Sequence, residues 1–181
     1  MKQDLIDRIH AHDAVVGVVG LGYVGLPLAV EFSKAGFPVI GFDIDPDKVA
    51  SLEAGRSYIK HISSERIAAV FSAGNGVGAR ATSDFSRIDE CDALLICVPT
   101  PLTRHRDPDL TYVEATAESV APHLRSGQLV VLESTTYPGT TEDVLVPILE
   151  KGSGLAVGTD FFVAYSPERE DPNNKQFSTS T

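Results

Sequence analysis

Short apolar runs alternate with longer segments of helical spacing along the chain between residues 15 and 165. Six short runs, at 15–19, 39–42, 79–82, 93–98, 128–132 and 160–165, are predicted to be strands. The run 93–98 is apolar throughout, as expected for a central parallel strand buried on both faces. The segments between them repeat apolar residues every three or four positions, as helices do. This alternation predicts an α/β fold: a doubly wound parallel sheet of the Rossmann type, with strand order 3-2-1-4-5-6 and helices on both faces.

A glycine-rich turn, GLGYVG, joins the first predicted strand to the first predicted helix. In this motif the first glycine (Gly20) permits the turn and the second (Gly22) lets backbone approach a pyrophosphate. The third, Gly25, lets helix and strand pack closely. Free N–H groups at the start of the helix would hold the pyrophosphate. Asp43 follows Gly25 by 18 positions, at the tip of the second strand, where a carboxylate can accept the ribose hydroxyls of an adenosine.

The acid at position 43 also distinguishes between cofactors. Asp43 would repel the 2′-phosphate of NADP, and its neighbour Ile44 supplies no guanidinium to neutralise that phosphate. We therefore predict NAD. S-adenosylmethionine is the alternative ligand for a glycine loop followed by an acid, but the complete glycine spacing and the strand beyond the fifth favour the dinucleotide.

Two further loops should lie at the carboxyl edge of the sheet, where ligands of such folds bind. Pro99, Thr100 and Pro101 follow the fourth strand, and the hydroxyl-rich segment 134–139 follows the fifth. The charged loop 102–110 is open to two interpretations. It is either a solvated surface loop, or a lid or subunit contact.

Local signals mark several element ends. Asp45 and Pro46 predict a helix start, as does Ser63 or Ser64, and Thr140 or Thr141 could cap the last helix. Residues 1–12 predict a helical arm that precedes the main domain, which we assign to residues 13–175. Residues 176–181 form a tail.

Composition narrows the function classes. Of 181 residues 43% are apolar and 22% charged, with a net charge of −10 and no cluster of basic residues, which argues against nucleic-acid binding. No apolar run approaches the ~20 residues of a membrane span and no signal peptide begins the chain, so we expect a cytoplasmic protein without membrane contact. The two cysteines, Cys91 and Cys97, are expected to be buried structural thiols, and we predict no metal site.

Several motifs occur in the order found in one enzyme family. GLGYVGLPLA, CVPTP, ESTTYPGTTE and SPERE-DP resemble those of the UDP-glucose/GDP-mannose dehydrogenase family, over residues 13–175. The variants SYIKHI, STTYPGTT and SPERED are most similar to its UDP-N-acetylglucosamine 6-dehydrogenase branch. The resemblance implies oxidation of a sugar 6-hydroxyl to a carboxylate with two NAD⁺, through a cysteine-bound thiohemiacetal and thioester.

The resemblance also implies roles for individual residues. Asp43 takes the adenosine ribose and Lys48 flanks it, while Pro99 and Thr100 line the dinucleotide. Thr135, near the nicotinamide, and Glu168 match the catalytic threonine and glutamate that handle water and protons. The pyrophosphate is held by Gly20, Gly22, Tyr23, Val24 and Gly25, and the sugar nucleotide lies along Glu168, Arg169, Glu170, Asp171 and Pro172.

One departure from the family limits the expected activity. The nucleophilic cysteine of the family comes from a later domain, before which these 181 residues end, and Cys91 and Cys97 do not replace it because they lie in or beside a buried strand. We therefore expect NAD binding without turnover here, and a homo-oligomeric enzyme at full length. Two alternatives stay open: a stand-alone NAD-binding or sensor module without catalysis, and a hydroxyacid-type dehydrogenase.

Overall fold

A computed structural model describes residues 1–71, 78–104 and 107–167 of the chain. Six strands form one sheet in which every neighbouring pair is parallel, and their order is β3-β2-β1-β4-β5-β6. This confirms the predicted doubly wound fold and strand order. The strands are β1 Val16–Val19, β2 Val39–Phe42, β3 Ala79–Thr82, β4 Ala93–Ile96, β5 Leu129–Leu132 and β6 Phe162–Tyr165.

Helices connect the strands in the predicted places. Short 3₁₀ turns occur at Phe85–Glu90 and Ala121–His123, and a π-helical turn at Thr141–Leu145 leads into the last helix. Within the described ranges no helix is both long enough and apolar enough to cross a membrane. The helices are α1 Lys2–His10, α2 Gly25–Lys34, α3 Pro46–Glu53, α4 Ser64–Phe71, α5 Thr111–Val120 and α6 Val146–Ser153.

The two faces of the sheet are buried in two separate apolar clusters. Val18 and Leu95 point to the face covered by α2, α3 and α4. Val19 and Ile96, the next residues along the same strands, point to the face covered by α5 and α6. The central strands are therefore apolar at every position because both of their faces are dry.

The start of α3 matches its sequence signal. The Asp45 carboxylate accepts a hydrogen bond from the Asp47 N–H at 3.0 Å, and Pro46 occupies the first helical position. At α4 it is Ser63 that caps, since its hydroxyl accepts from the Arg66 N–H at 3.4 Å.

The predicted cap of the last helix is wrong. The Thr140 hydroxyl donates to the Tyr137 carbonyl at 2.8 Å, and no side chain in the described part of the chain caps the turn that begins at Thr141. Thr140 already has helical dihedral angles, φ −52° and ψ −41°, whereas a capping residue needs an extended backbone to direct its oxygen at the free N–H groups.

The arm formed by α1 is fastened to the amino-terminal edge of the sheet. Leu5 is buried, and the Arg8 guanidinium hydrogen-bonds to the carboxylate of Asp92, directly before β4. The same carboxylate accepts from the Val15 N–H and from Arg125, both at 2.8 Å. One buried acid thus joins the arm, β1 and the segment before β5.

Candidate functional site

A cleft of about 570 Å³ opens at the carboxyl ends of β1 and β4, where the strand order reverses direction. This is the position at which doubly wound sheets bind ligands. Nine of the ten residues predicted to contact the cofactor line it: Gly20, Gly22, Tyr23, Val24, Asp43, Lys48, Pro99, Thr100 and Thr135.

The tenth, Gly25, lies beneath the cleft and has a packing role. A Cβ atom at Gly25 would lie 1.9 Å from the carbonyl oxygen of Gly20, so any side chain there would push α2 away from the loop. Gly20 itself has a φ of +93°, and a Cβ there would lie 3.0 Å from the Cys97 carbonyl oxygen. Both glycines are therefore needed for the fold of the loop itself, because neighbouring backbone leaves no room for a side chain at either position.

Gly22 is different because its α-carbon faces the cleft. A Cβ built there meets no atom within 4 Å. Among the described residues, the backbone N–H groups of Gly22, Tyr23 and Val24 donate to no partner, and they lie at the amino-terminal end of α2. Such a row of free donors at the positive end of a helix dipole fits the pyrophosphate of a dinucleotide.

Asp43, directly after β2, forms part of the cleft wall, and only 6% of its surface is exposed. Its carboxylate accepts hydrogen bonds from the N–H groups of Leu21, at 2.9 Å, and Asp45, at 3.0 Å. Lys48 pairs with it at 3.1 Å between Nζ and Oδ2. These contacts hold the carboxylate at the tip of β2, and its place in the cleft wall fits a ribose.

The loops after β4 and β5 are bonded to each other. The Ser134 hydroxyl donates to the Val98 carbonyl at 2.6 Å, and the Thr100 hydroxyl donates to the Thr135 carbonyl, also at 2.6 Å. The structure therefore brings the two predicted hydroxyl-bearing loops together on one side of the cleft.

Sequence reasoning missed one wall of the cleft. Tyr112, Thr116 and Ser119 of α5 line it, and they repeat at the helical spacing of four and three. They lie beside Val113 and Ala117, which face the core. The helical spacing of these polar residues could therefore have predicted a second functional face of α5. Phe85, from the 3₁₀ turn after β3, also lines the cleft, and no local pattern predicts its place there.

Neither cysteine is available as a nucleophile. Cys91 is 0% and Cys97 is 7% exposed, so both thiols are buried, as expected. Burial raises the pKa of Cys91 to about 12, and the nearby carboxylates of Glu90 and Asp92 add to the shift. A thiol of this kind is not a thiolate at neutral pH.

The residues predicted to lie along the sugar nucleotide fall outside the part of the chain that the structure describes; they are Glu168, Arg169, Glu170, Asp171 and Pro172. In the loop 102–110, the described part folds back on itself: Leu102 bridges to Pro108, and the Thr103 N–H donates to the Asp107 carbonyl at 2.8 Å. In the described parts of the chain, no group of three or more potential ligands could hold a metal ion.

Known proteins share both the sequence and the fold. A family model described as the NAD-binding domain of the UDP-glucose/GDP-mannose dehydrogenase family matches residues 14–180. The UDP-N-acetyl-D-glucosamine 6-dehydrogenase of Pseudomonas aeruginosa is 41% identical over 169 residues, which cover 93% of this chain and 38% of that protein. The UDP-N-acetyl-D-mannosamine dehydrogenase of Pyrococcus horikoshii is 38% identical over 158 residues, covering 87% of this chain and 37% of that protein.

Solved structures agree. The NDP-N-acetyl-D-galactosaminuronic acid dehydrogenase of Methanosarcina mazei superposes with a TM-score of 0.80 at 38% identity, over 92% of this chain and 37% of that one. A ternary complex of GDP-mannose dehydrogenase from Pseudomonas aeruginosa gives 0.79 at 32% identity, over 85% of this chain and 36% of that one. The chain spans just over a third of these relatives' length. It belongs to the UDP-glucose/GDP-mannose dehydrogenase family and contains that family's NAD-binding domain.

Proposed function

We propose that the chain is the NAD-binding part of a nucleotide-sugar 6-dehydrogenase that converts UDP-N-acetylglucosamine or UDP-glucose to the uronate. The cleft at the strand-order reversal carries this proposal, because it combines free loop N–H groups with a buried acid. Relatives named as UDP-N-acetyl-D-glucosamine 6-dehydrogenases, at 41% and 40% identity, favour the N-acetylated sugar.

Each residue of the cleft has a proposed task. The glycine loop binds the pyrophosphate through backbone donors, Asp43 accepts the adenosine ribose hydroxyls, and Lys48 flanks them. Pro99 and Thr100 line the dinucleotide. Bound NAD⁺ would supply the hydride acceptor, and two hydride transfers together with one water molecule convert a primary alcohol to a carboxylate.

Thr135 and Glu168 are the proposed catalytic residues. Thr135 is exposed at the cleft, and its backbone is fixed by the bond from Thr100, which suits a hydroxyl that positions water near the nicotinamide. We assign Glu168 the role of general base on the family resemblance, and place Glu168, Arg169, Glu170, Asp171 and Pro172 along the UDP-sugar.

We further propose that the 181-residue chain does not turn over by itself. Both of its cysteines are buried, and an exposed thiolate is needed for a covalent route through a thioester. At full length we propose a cytoplasmic homo-oligomer, without nucleic-acid or membrane partners.

The decisive experiment separates binding from turnover. Calorimetric titration of the 181-residue chain should show NAD⁺ binding, and incubation with NAD⁺ and UDP-N-acetylglucosamine should give no steady NADH production. Steady NADH production would contradict the proposed inactivity, and absent NAD⁺ binding would contradict the site.

A second experiment tests the substrate and the rival sensor function. Because the relatives it matches are more than twice as long as this chain, it uses the complete gene product. UDP-N-acetylglucosamine, UDP-N-acetylmannosamine and UDP-glucose are compared by kcat/KM for NADH formation. No oxidation of any of these sugars, with NAD⁺ still bound, would favour a module without catalysis.

A further inference from the structure

A tyrosine outside the glycine motif contacts the pyrophosphate loop directly. The hydroxyl of Tyr58, in the connector between α3 and α4, donates a hydrogen bond to the carbonyl oxygen of Leu21 at 2.6 Å. Leu21 stands between the first two glycines of the motif. The N–H of the same residue donates to Asp43 at 2.9 Å.

The side chain of Leu21 completes this attachment. It is fully buried and packs onto Gly41 of β2, where an added Cβ would lie 2.8 Å from the leucine Cδ2 atom. Leu21 is thus held by its N–H, its carbonyl and its side chain. Both peptide planes that meet at this residue have a fixed orientation.

The orientation matters because of the planar geometry of the next peptide. The Leu21 carbonyl and the Gly22 N–H belong to one peptide unit, and no cis peptide bond occurs in the described chain. In a trans peptide these two groups point in opposite directions. A carbonyl drawn towards Tyr58 therefore turns the Gly22 N–H the other way, and Gly22 lines the cleft.

The connector holds Tyr58 firmly enough for this purpose. Ile59 and Ile62 are buried in the core, at 4% and 5% exposure. The Ser57 hydroxyl accepts from the Ile59 N–H at 3.1 Å, and the Ser57 N–H donates to the Ser64 hydroxyl at 3.1 Å. The ring of Tyr58 packs against the same core cluster as the glycine loop.

We propose that Tyr58 is a positioning residue for the cofactor: it orients the Leu21–Gly22 peptide so that the Gly22 N–H faces the dinucleotide pyrophosphate. The inference rests on the dinucleotide site described above. Desolvation, with Asp43 and Asp45 nearby, raises the pKa of Tyr58 well above its ordinary value, so the phenol remains a donor at physiological pH.

The test compares ligands with and without phosphates on a variant that lacks only the hydroxyl. For Tyr58→Phe we expect ADP and NAD⁺ affinities to fall roughly three- to tenfold, the effect of one misdirected hydrogen bond. Adenosine affinity, measured by NMR titration, should stay within about twofold, because a nucleoside makes no pyrophosphate contact. The matched control is Tyr165→Phe, an exposed tyrosine on β6 away from the cleft, which should change neither affinity.

Equal losses for ADP and adenosine would overturn the proposal, because they would show a general structural effect. Unchanged ADP affinity would overturn it as well. A second readout is independent of the variant's stability: in the wild type, ADP should shift the Gly22 amide proton and adenosine should not. If ADP did not shift the Gly22 amide proton, the positioning role would be refuted. If the wild type bound neither ADP nor NAD⁺, the dinucleotide site itself would be refuted.

Discussion

The side-chain hydroxyl of Thr100 lies 2.6 Å from the backbone carbonyl oxygen of Thr135, to which it donates a hydrogen bond. The two residues are far apart in sequence and follow β4 and β5, which are neighbours in the sheet. Their bond therefore sets the distance between the two loops that form one side of the cleft. It also fixes the backbone of the residue to which we assign a catalytic role.

Removing this hydroxyl should weaken cofactor binding and folding by similar amounts, each about the free energy of one hydrogen bond. We expect Thr100→Val, which keeps the shape of the side chain, to lower NAD⁺ affinity roughly three- to tenfold and to cost about 1 kcal/mol of unfolding free energy. Thr100→Ser restores the donor and should recover most of the affinity. Calorimetric titration of the three proteins is the measurement, and wild-type affinity in Thr100→Val would contradict the assigned role.

The glycines of the loop should divide into two classes on substitution by alanine. Gly25→Ala places a methyl group 1.9 Å from the Gly20 carbonyl oxygen, so we expect a loss of about 3 kcal/mol or more in unfolding free energy. Gly22→Ala meets open space and should fold within about 1 kcal/mol of the wild type. Its methyl group would occupy the position of the pyrophosphate, so NAD⁺ affinity should fall at least about tenfold.

Urea unfolding and NAD⁺ titration of these two variants check both statements. If Gly22→Ala bound NAD⁺ like the wild type, the pyrophosphate could not lie against Gly22. If Gly25→Ala were as stable as the wild type, the contact with Gly20 would not limit the packing of α2.

The features of this structure that depend on local pattern could be predicted from the sequence. The alternation of apolar runs predicts six parallel strands, and the strand order follows from the few connections that such sheets allow. The spacing of Gly20, Gly22 and Gly25, with Asp43 after the second strand, predicts where the cleft lies from the sequence alone. The tip of β2 carries Asp43 because the apolar run ends there.

Contacts between distant segments are what the pattern could not show. Nothing in the sequence around Tyr58 indicates that its hydroxyl reaches Leu21, 37 residues earlier. The same holds for Phe85, whose place in the cleft depends on how the 3₁₀ turn packs. The failed prediction of a cap at Thr140 has a similar cause, since dihedral angles set by packing decided it rather than residue preference.

Among the acids that the structure describes outside the cleft, Asp92 should be the costliest to remove. It is 3% exposed and accepts from Arg8, Arg125 and the Val15 N–H. We expect Asp92→Ala to lower the unfolding free energy by about 2–3 kcal/mol, because two cations and a backbone donor lose their partner while the guanidinium groups stay partly solvated. NAD⁺ affinity should not change, since Asp92 lies at the opposite edge of the sheet.

The matched control for Asp92 is the exposed ion pair of Arg87 and Glu90, 2.7 Å apart. Glu90→Gln should cost less than about 1 kcal/mol. Urea unfolding of both variants is the measurement. Equal losses of unfolding free energy in the two variants would mean that burial does not strengthen the interactions of Asp92 with Arg8, Arg125 and the Val15 N–H.

The buried thiol of Cys91 predicts a pH dependence. Its pKa is raised from an ordinary 9.0 to about 12, so between these values the unfolded chain loses a proton that the folded chain retains. The stabilisation is complete below the unfolded pKa and declines as pH rises through this window. From about pH 8 to about pH 10, this thiol should lower the unfolding free energy by about 1 kcal/mol.

Urea unfolding of wild type and Cys91→Ala at the two pH values isolates this contribution, because other groups titrate in both proteins. The alanine variant should lose less stability on the same change of pH. Parallel losses in the two proteins would show that Cys91 is not desolvated in the folded state.

The central claim is that Asp43 makes this cleft a site for NAD. Asp43→Asn is a better variant than alanine, because Asp43 also accepts from the Leu21 N–H and an amide oxygen can keep that bond. The variant should bind NAD⁺ more weakly, with less discrimination against NADP⁺.

The most direct measurement is calorimetric titration of the wild-type chain with both cofactors. We predict that NAD⁺ binds at least about tenfold more tightly than NADP⁺, through repulsion of the 2′-phosphate by the Asp43 carboxylate. Equal affinity for NAD⁺ and NADP⁺ would contradict the ribose assignment.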